Sequence, residues 1–150
     1  MGRSNGFTLI EMVVAICVVG IMFFASIPVF SNMVSIFELK AVARDIVSDL
    51  RFSQEKATGG RCSVLIEFAP KSLFGDPAVY YIRKTGASGK SETVRSVRLS
   101  AKFDFTKKVI LRFASTGFPP PGGSGTVVVE DRGGRTRKVI LSSAGRVRME

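Results

Sequence analysis

Histidine is absent from this 150-residue chain. Its absence removes the usual general base, the commonest metal ligand and the partner of a serine or cysteine nucleophile. The acidic residues are scattered and do not show the spacing of a zinc or calcium site. The sequence therefore presents no set of catalytic or metal-binding residues, and we expect neither enzymatic activity nor a cofactor.

Cysteine occurs only twice, as Cys17 and Cys62. If the segment between them is helical, the two side chains lie too far apart to form a disulfide bond. We therefore expect two reduced thiols, with an intermolecular pair as the alternative, and the cysteines do not indicate a cellular compartment.

Acidic residues are also few, with 12 against 22 basic residues and a net charge of +10. Residues 1–60 hold five of each sign, whereas residues 61–150 hold 17 basic and seven acidic residues. The whole excess thus lies in the second segment. We expect that segment to attract nucleic acid, anionic lipid or an acidic protein, and the attraction to weaken as salt rises.

The longest apolar run extends over residues 7–30, and Glu11 is its only ionisable side chain. As a helix it measures roughly 36 Å, enough to cross a bilayer core. It follows a short polar leader, residues 1–6, in which Arg3 favours a cytoplasmic N-terminus. A secretory signal peptide has a shorter apolar core and a small-x-small cleavage site. A plain signal anchor leaves Glu11 unexplained, because a carboxylate in a membrane span is costly.

The hexad Gly6-Phe7-Thr8-Leu9-Ile10-Glu11 resembles the signature of type IV pilins and of the pseudopilins of type II secretion. The resemblance implies that a prepilin peptidase cleaves between Gly6 and Phe7 and N-methylates Phe7. It also implies a helix kink at Pro28, which falls where many pilins have a proline.

Elementary chemistry agrees with these roles. Cleavage after Gly6 creates an α-amine on Phe7 about one helical turn from Glu11. The amine can pair with its own Glu11 or, as the resemblance implies, with Glu11 of an adjacent subunit, which would set the register of assembly. Pro28 removes one backbone hydrogen bond and is expected to bend the helix, although the end of a membrane helix is the alternative reading.

Residues 31–58 continue the helical period as an amphipathic segment. The apolar stripe consists of Leu39, Val42, Ala43, Ile46, Leu50 and Ala57. The polar positions between them include Lys40, Arg44, Asp45, Asp49, Arg51 and Lys56. We expect the stripe to pack on a sheet, with a coiled-coil seam as the alternative. We also expect Gly59-Gly60 to end the helix.

Residues 61–150 form a β-rich head. Alternation and turn signals predict strands at residues 62–68, 78–84, 93–99, 109–113, 126–130 and 137–141, and residues 146–150 form a last strand or tail. The short links favour antiparallel hairpins. The predicted fold class is α+β, with one long N-terminal helix, its first half transmembrane, packed on this head.

Within the pilins, the chain resembles the minor pilins and pseudopilins of the FimT/GspH type. The segments that carry this likeness are residues 43–51, 113–117 and 142–148. The resemblance implies two antiparallel sheets beside the helix. It also implies a single-pass protein of the bacterial inner membrane, with its head in the periplasm, that is later drawn into a pilus or pseudopilus.

The segment Gly145-Arg146-Val147-Arg148 resembles a Gly-Arg-x-Arg motif of FimT-type minor pilins that bind DNA during natural transformation. On a strand, Arg146 and Arg148 would point to one face and could bind successive phosphates. The preceding hairpin adds Arg132, Arg135, Arg137 and Lys138. The alternative is an ordinary solvated strand face. Because no aromatic residue flanks the arginines, we expect backbone-directed binding without base stacking.

The sequence thus predicts a non-enzymatic minor pilin-like subunit. Its expected partners are prepilin peptidase, other pilins or pseudopilins, the inner-membrane assembly platform and membrane lipid. The sequence leaves open whether its filament is a type II secretion pseudopilus or a type IV pilus. A DNA-binding minor pilin is the second hypothesis, and a membrane-anchored head without a filament is disfavoured by the hexad.

Overall fold

A computed structural model describes residues 7–72, 75–86 and 90–150, without the side chains of residues 26–29 and 31. The chain divides into two compact units, Met1–Phe37 and Glu38–Glu150. Helix α1 spans Leu9–Gly59, and eight strands follow it. In the described residues, Cys17 and Cys62 form no disulfide bond with each other.

Helix α1 ends at the predicted pair Gly59-Gly60, and the Gly60 N–H bonds to the Lys56 carbonyl at 3.0 Å. Position 28 lies within α1, whereas the side chain of Pro28 is outside the described residues, so a bend there stays a prediction. Among the described residues, no helix combines the length and the apolarity that crossing a membrane requires.

The amphipathic half of α1 packs as the sequence predicts. Its buried apolar side chains are Leu39, Ala43, Ile46, Leu50 and Ala57, and Val42 is partly buried beside them. These positions recur every three, four or seven residues, so they lie on one side of the helix. That side forms one wall of the hydrophobic core.

The strands form two four-stranded sheets, and every pairing between neighbouring strands is antiparallel. Their bounds are β1 Ser63–Ala69, β2 Val79–Thr85, β3 Ser91–Arg98, β4 Phe103–Phe105, β5 Val109–Phe113, β6 Gly125–Asp131, β7 Thr136–Leu141 and β8 Val147–Met149. The strand order is β3-β2-β1-β5 in the first sheet and β4-β6-β7-β8 in the second. The predicted antiparallel α+β fold with two sheets is confirmed.

Strand β4 is the one that the sequence did not predict. It has only three residues, too few for an alternating pattern to be recognised. Its two phenylalanines are nevertheless buried, and the Phe105 ring lies 5.3 Å from that of Phe68 on β1 and 6.4 Å from that of Tyr80 on β2. These aromatic contacts join the two sheets in one core.

Asp49 departs from the sequence expectation, which placed it among the polar positions outside the stripe. It is only 7% exposed. Its carboxylate accepts hydrogen bonds from the Tyr80 hydroxyl at 2.6 Å and from Nη1 of Arg95 at 2.7 Å. Burial, together with this carboxylate, raises the pKa of Tyr80 well above its usual range. Asp49 therefore ties α1 to strands β2 and β3 through a buried charge.

Candidate functional site

The start of α1 carries the first candidate site. The Thr8 N–H and hydroxyl both donate to Oε2 of Glu11, at 2.9 and 3.0 Å, and the Glu11 N–H donates to the Thr8 hydroxyl at 3.3 Å. This reciprocal pattern is a capping box, whose Thr-x-x-Glu spacing can be read from sequence. Glu11 therefore also stabilises the helix start. Gly6 and the expected cleavage bond lie outside the described residues.

The helix around Glu11 exposes large apolar side chains in every direction. Those that are described and exposed are Phe7, Leu9, Ile10, Met12, Val13, Val14, Ile16, Val18, Val19, Ile21, Met22, Phe23, Phe24, Phe30, Met33, Val34, Ile36 and Phe37. A helix that is apolar all round is stable only when an apolar environment covers it. This segment therefore requires lipid or other protein subunits around it.

The second candidate site lies on strands β7 and β8. Val147 packs against the core, so Arg146 and Arg148 on either side of it point outward. Arg148 pairs with Ile140, and the backbones of Lys138 and Glu150 are hydrogen-bonded to each other. Lys138 consequently shares the outer face with both arginines. In the part of the chain that the structure describes, neither guanidinium makes an ion pair.

The other three basic residues predicted for this site do not join that face. Arg135 forms a salt bridge to Asp131 at 2.7 Å within the β6–β7 turn, and the bonds that Arg135 donates lower the pKa of Asp131. Arg137 is on the side of β7 that carries the buried Val139. Arg132 lies in the turn, where its N–H bonds to the Lys102 carbonyl at 3.1 Å. The structure therefore reduces the predicted set of six to Arg146, Arg148 and Lys138.

Arg146 and Arg148 also line a groove of about 720 Å³ between the second half of α1, the loop after β5 and the turn before β8. We call it the basic groove. Its lining consists of Arg51, Gln54, Glu55, Thr58, Thr116, Gly117, Phe118, Gly145, Arg146, Val147 and Arg148. Three arginines face one glutamate there, so the groove favours an anion.

Gln54 fixes the shape of the basic groove. Its Nε2 donates to the carbonyls of Gly117 at 2.9 Å and Gly145 at 3.4 Å, which holds both loops against α1. Gly117 and Gly145 have φ angles of +80° and +74°, a region that favours glycine. A Cβ on Gly117 would lie 2.6 Å from Cγ2 of Thr58. Both glycines are therefore required by conformation and by close packing.

Of the residues that line this groove, the sequence predicted only Arg146 and Arg148 as site residues. Arg51 was read as a polar position of the helix, and Gln54 and Phe118 were not considered. No aromatic residue flanks the arginines in the sequence, but Phe118 lines the same groove and is 57% exposed. It is distant from Arg146 in sequence, so no local pattern indicates their proximity. Arg51 could have been assigned to the groove only by knowing which side of α1 packs near β8.

The described residues contain no group of three or more histidine, cysteine or acidic side chains arranged to hold a metal ion. The functional features of the described chain are thus a capped carboxylate in an apolar helix and a basic groove on an α+β head.

A long N-terminal helix with one carboxylate in its apolar start, followed by two antiparallel sheets, is a pilin-like fold. Residues 1–27 match the family model described as the prokaryotic N-terminal methylation motif. Both the fold class and the N-terminal signature that the sequence indicates are therefore confirmed.

Two solved structures share this fold, both of the type IV minor pilin FimU from Pseudomonas aeruginosa. In one crystal form the identity is 21%, the TM-score is 0.55, and the match covers 75% of this chain and 88% of FimU. In the other the identity is 20%, the TM-score is 0.53, and the coverage is 75% and 92%. A comparison with curated protein sequences gives no significant match.

Proposed function

We propose that the chain is a non-enzymatic, minor pilin-like subunit of a bacterial surface filament, either a type IV pilus or a type II secretion pseudopilus. The observation that carries the proposal is the methylation motif at the start of a helix that exposes apolar side chains all round. The chain first lies in the inner membrane as a single-pass protein, with its N-terminus in the cytoplasm and its head in the periplasm. The assembly platform then draws it into the filament.

The mechanism begins with processing. Prepilin peptidase cleaves after Gly6 and methylates the new amine of Phe7. A cation then stands about one turn from the Glu11 carboxylate in an apolar environment, where each charge is costly without a partner. Glu11 of one subunit pairs with the amine of a neighbour, so the charge pair selects one register while apolar contacts supply the attraction.

Changing the size of the side chain at position 6 tests the proposed cleavage site. We expect Gly6→Ala to be processed, because one methyl group leaves the scissile bond accessible, and Gly6→Arg to remain a precursor, because a long charged side chain obstructs the peptidase. Mass spectrometry of the membrane fraction distinguishes precursor from mature chain. Wild-type protein that still begins at Met1 in cells with an active peptidase would refute the proposed processing.

DNA binding is the second candidate function, and the basic groove favours it. Arg146 and Arg148 point outward without acidic partners in the described structure, and Arg51 lines the groove with them. Two residues of strand place the arginines about 7 Å apart, so their planar forks can bind separate phosphates. DNA binding of this kind is sequence-tolerant and salt-dependent.

We expect Arg146→Ala with Arg148→Ala to weaken binding of duplex DNA and to reduce the slope of log affinity against log salt by about two, since each lost phosphate contact contributes about one. Fluorescence anisotropy of the full mature chain in detergent measures both quantities. The control is Lys90→Ala with Arg98→Ala, which removes the same charge at exposed positions in and just before strand β3 of the other sheet. If both double variants lose affinity equally, net charge and not the groove explains the binding.

A further inference from the structure

Phe118 is an exposed aromatic residue on a rigid loop. The Phe118 carbonyl accepts the Ala114 N–H at 2.9 Å, and the Gly117 N–H donates to the Ala114 carbonyl at 2.8 Å. Gln54 holds the Gly117 carbonyl, and three prolines, Pro119-Pro120-Pro121, follow directly. A ring presented this way loses little conformational entropy when a ligand covers it.

The Phe118 ring lies close to Gly145. A Cβ at Gly145 would lie 3.5 Å from Cδ1 of Phe118 and 3.1 Å from Nε2 of Gln54. The ring edge therefore lies beside the backbone that leads into Arg146. Phe118 lines the basic groove together with Arg146 and Arg148, and its ring edge lies beside Gly145, the residue before Arg146.

An aromatic ring beside several cations is the arrangement with which proteins bind single-stranded nucleic acid. Arginines bind the phosphates, while the ring stacks on a base, which is accessible in a single strand but covered by its neighbours in a duplex. A polyanion without bases would use the arginines alone. An acidic peptide would use them too, but without a planar group to place on Phe118.

We propose that the basic groove is a single-strand site in which Phe118 stacks on a nucleobase while Arg146 and Arg148 bind the flanking phosphates. This inference rests on the proposed DNA-binding function and names the form of DNA that is bound. Gln54 is the positioning residue of the site. Its hydrogen bonds hold the loop that carries Phe118 and the turn that precedes Arg146 against α1.

The test measures binding of the full mature chain in detergent to three labelled probes of equal length. They are a thymine single strand, an abasic single strand with the same phosphates but no bases, and a duplex. We expect the wild type to prefer the thymine strand. Phe118→Ala is expected to weaken that binding by about fivefold or more and to change the abasic affinity by less than about twofold.

Two further variants sharpen the test. Phe118→Tyr keeps the ring and is expected to retain the preference, and Ile110→Ala removes an exposed apolar side chain on β5, outside the groove, and is expected to have no effect. Equal affinity of wild type and Phe118→Ala for the thymine strand overturns the stacking role and leaves DNA binding intact. Loss of all three probes in Phe118→Ala overturns it as well, because a stacking residue does not act on an abasic strand. If the wild type binds no probe, the DNA-binding function itself is refuted.

Discussion

A chain with Glu11→Val is expected to be cleaved normally and to be lost from filaments. We expect cleavage not to depend on this side chain, whereas under the proposed pairing each substituted subunit leaves the amine of a neighbour without its anion in an apolar environment. We expect incorporation to fall by roughly tenfold or more, the largest effect of any change proposed for this protein. Shearing filaments from cells and comparing the sheared and cell-bound fractions by immunoblot measures it, and mass spectrometry confirms the mature N-terminus.

The capping box makes a second variant necessary, because Glu11→Val also removes the acceptor of the Thr8 N–H and hydroxyl. Glu11→Gln keeps an acceptor that suits a capping box but has no charge. If charge pairing selects the register, both variants are excluded from the filament. Normal incorporation of Glu11→Gln would show that helix capping, and not the ion pair, is what assembly requires.

Asp49→Ala is expected to destabilise the head by about 2–3 kcal/mol. The buried Tyr80 hydroxyl would lose its acceptor, which costs about 1–3 kcal/mol, and the loss of the Arg95 bond adds less because that side chain is 55% exposed. For a unit of this size the melting temperature would fall by roughly 10–20 °C. The chain has no tryptophan, and both tyrosines lie on β2, so tyrosine fluorescence during heating reports on the head alone.

Tyr80→Phe separates the contributions to this effect. Alone, it removes the hydroxyl but leaves Asp49 bonded to Arg95, so the expected loss is about 1 kcal/mol. Combined with Asp49→Ala, it removes the unpaired hydroxyl, and the double variant is expected to be more stable than the sum of the single effects implies. An Asp49→Ala chain that melts within a degree or two of the wild type would contradict the structural role of Asp49.

The two candidate sites are expected to serve different functions. In the proposed function, the capped carboxylate and the apolar helix serve assembly, which is expected of any protein with the methylation motif. The basic groove belongs to the Glu38–Glu150 unit, which also holds the whole excess of positive charge. We therefore expect the function that is particular to this subunit to reside in its head. The groove variants should leave processing and incorporation unchanged.

Local patterns in the sequence were sufficient for the helix, the stripe from Leu39 to Ala57, all but one of the strands and the N-terminal motif. Each of these depends on the spacing of residues near one another in the chain, because helical and strand periods act over a few residues. The Thr8-x-x-Glu11 cap is equally local, although it was not among the predictions. The antiparallel arrangement followed from short links between strands.

Only the tertiary structure decided which distant residues meet. Pairing of β7 with β8 placed Lys138 on the same outer face as Arg146 and Arg148. The packing of α1 buried Asp49 and brought Arg51 to β8, and Phe118 lies beside Gly145, which has a positive φ. Such contacts join residues far apart in sequence, so they depend on how whole elements pack, and no local spacing records them.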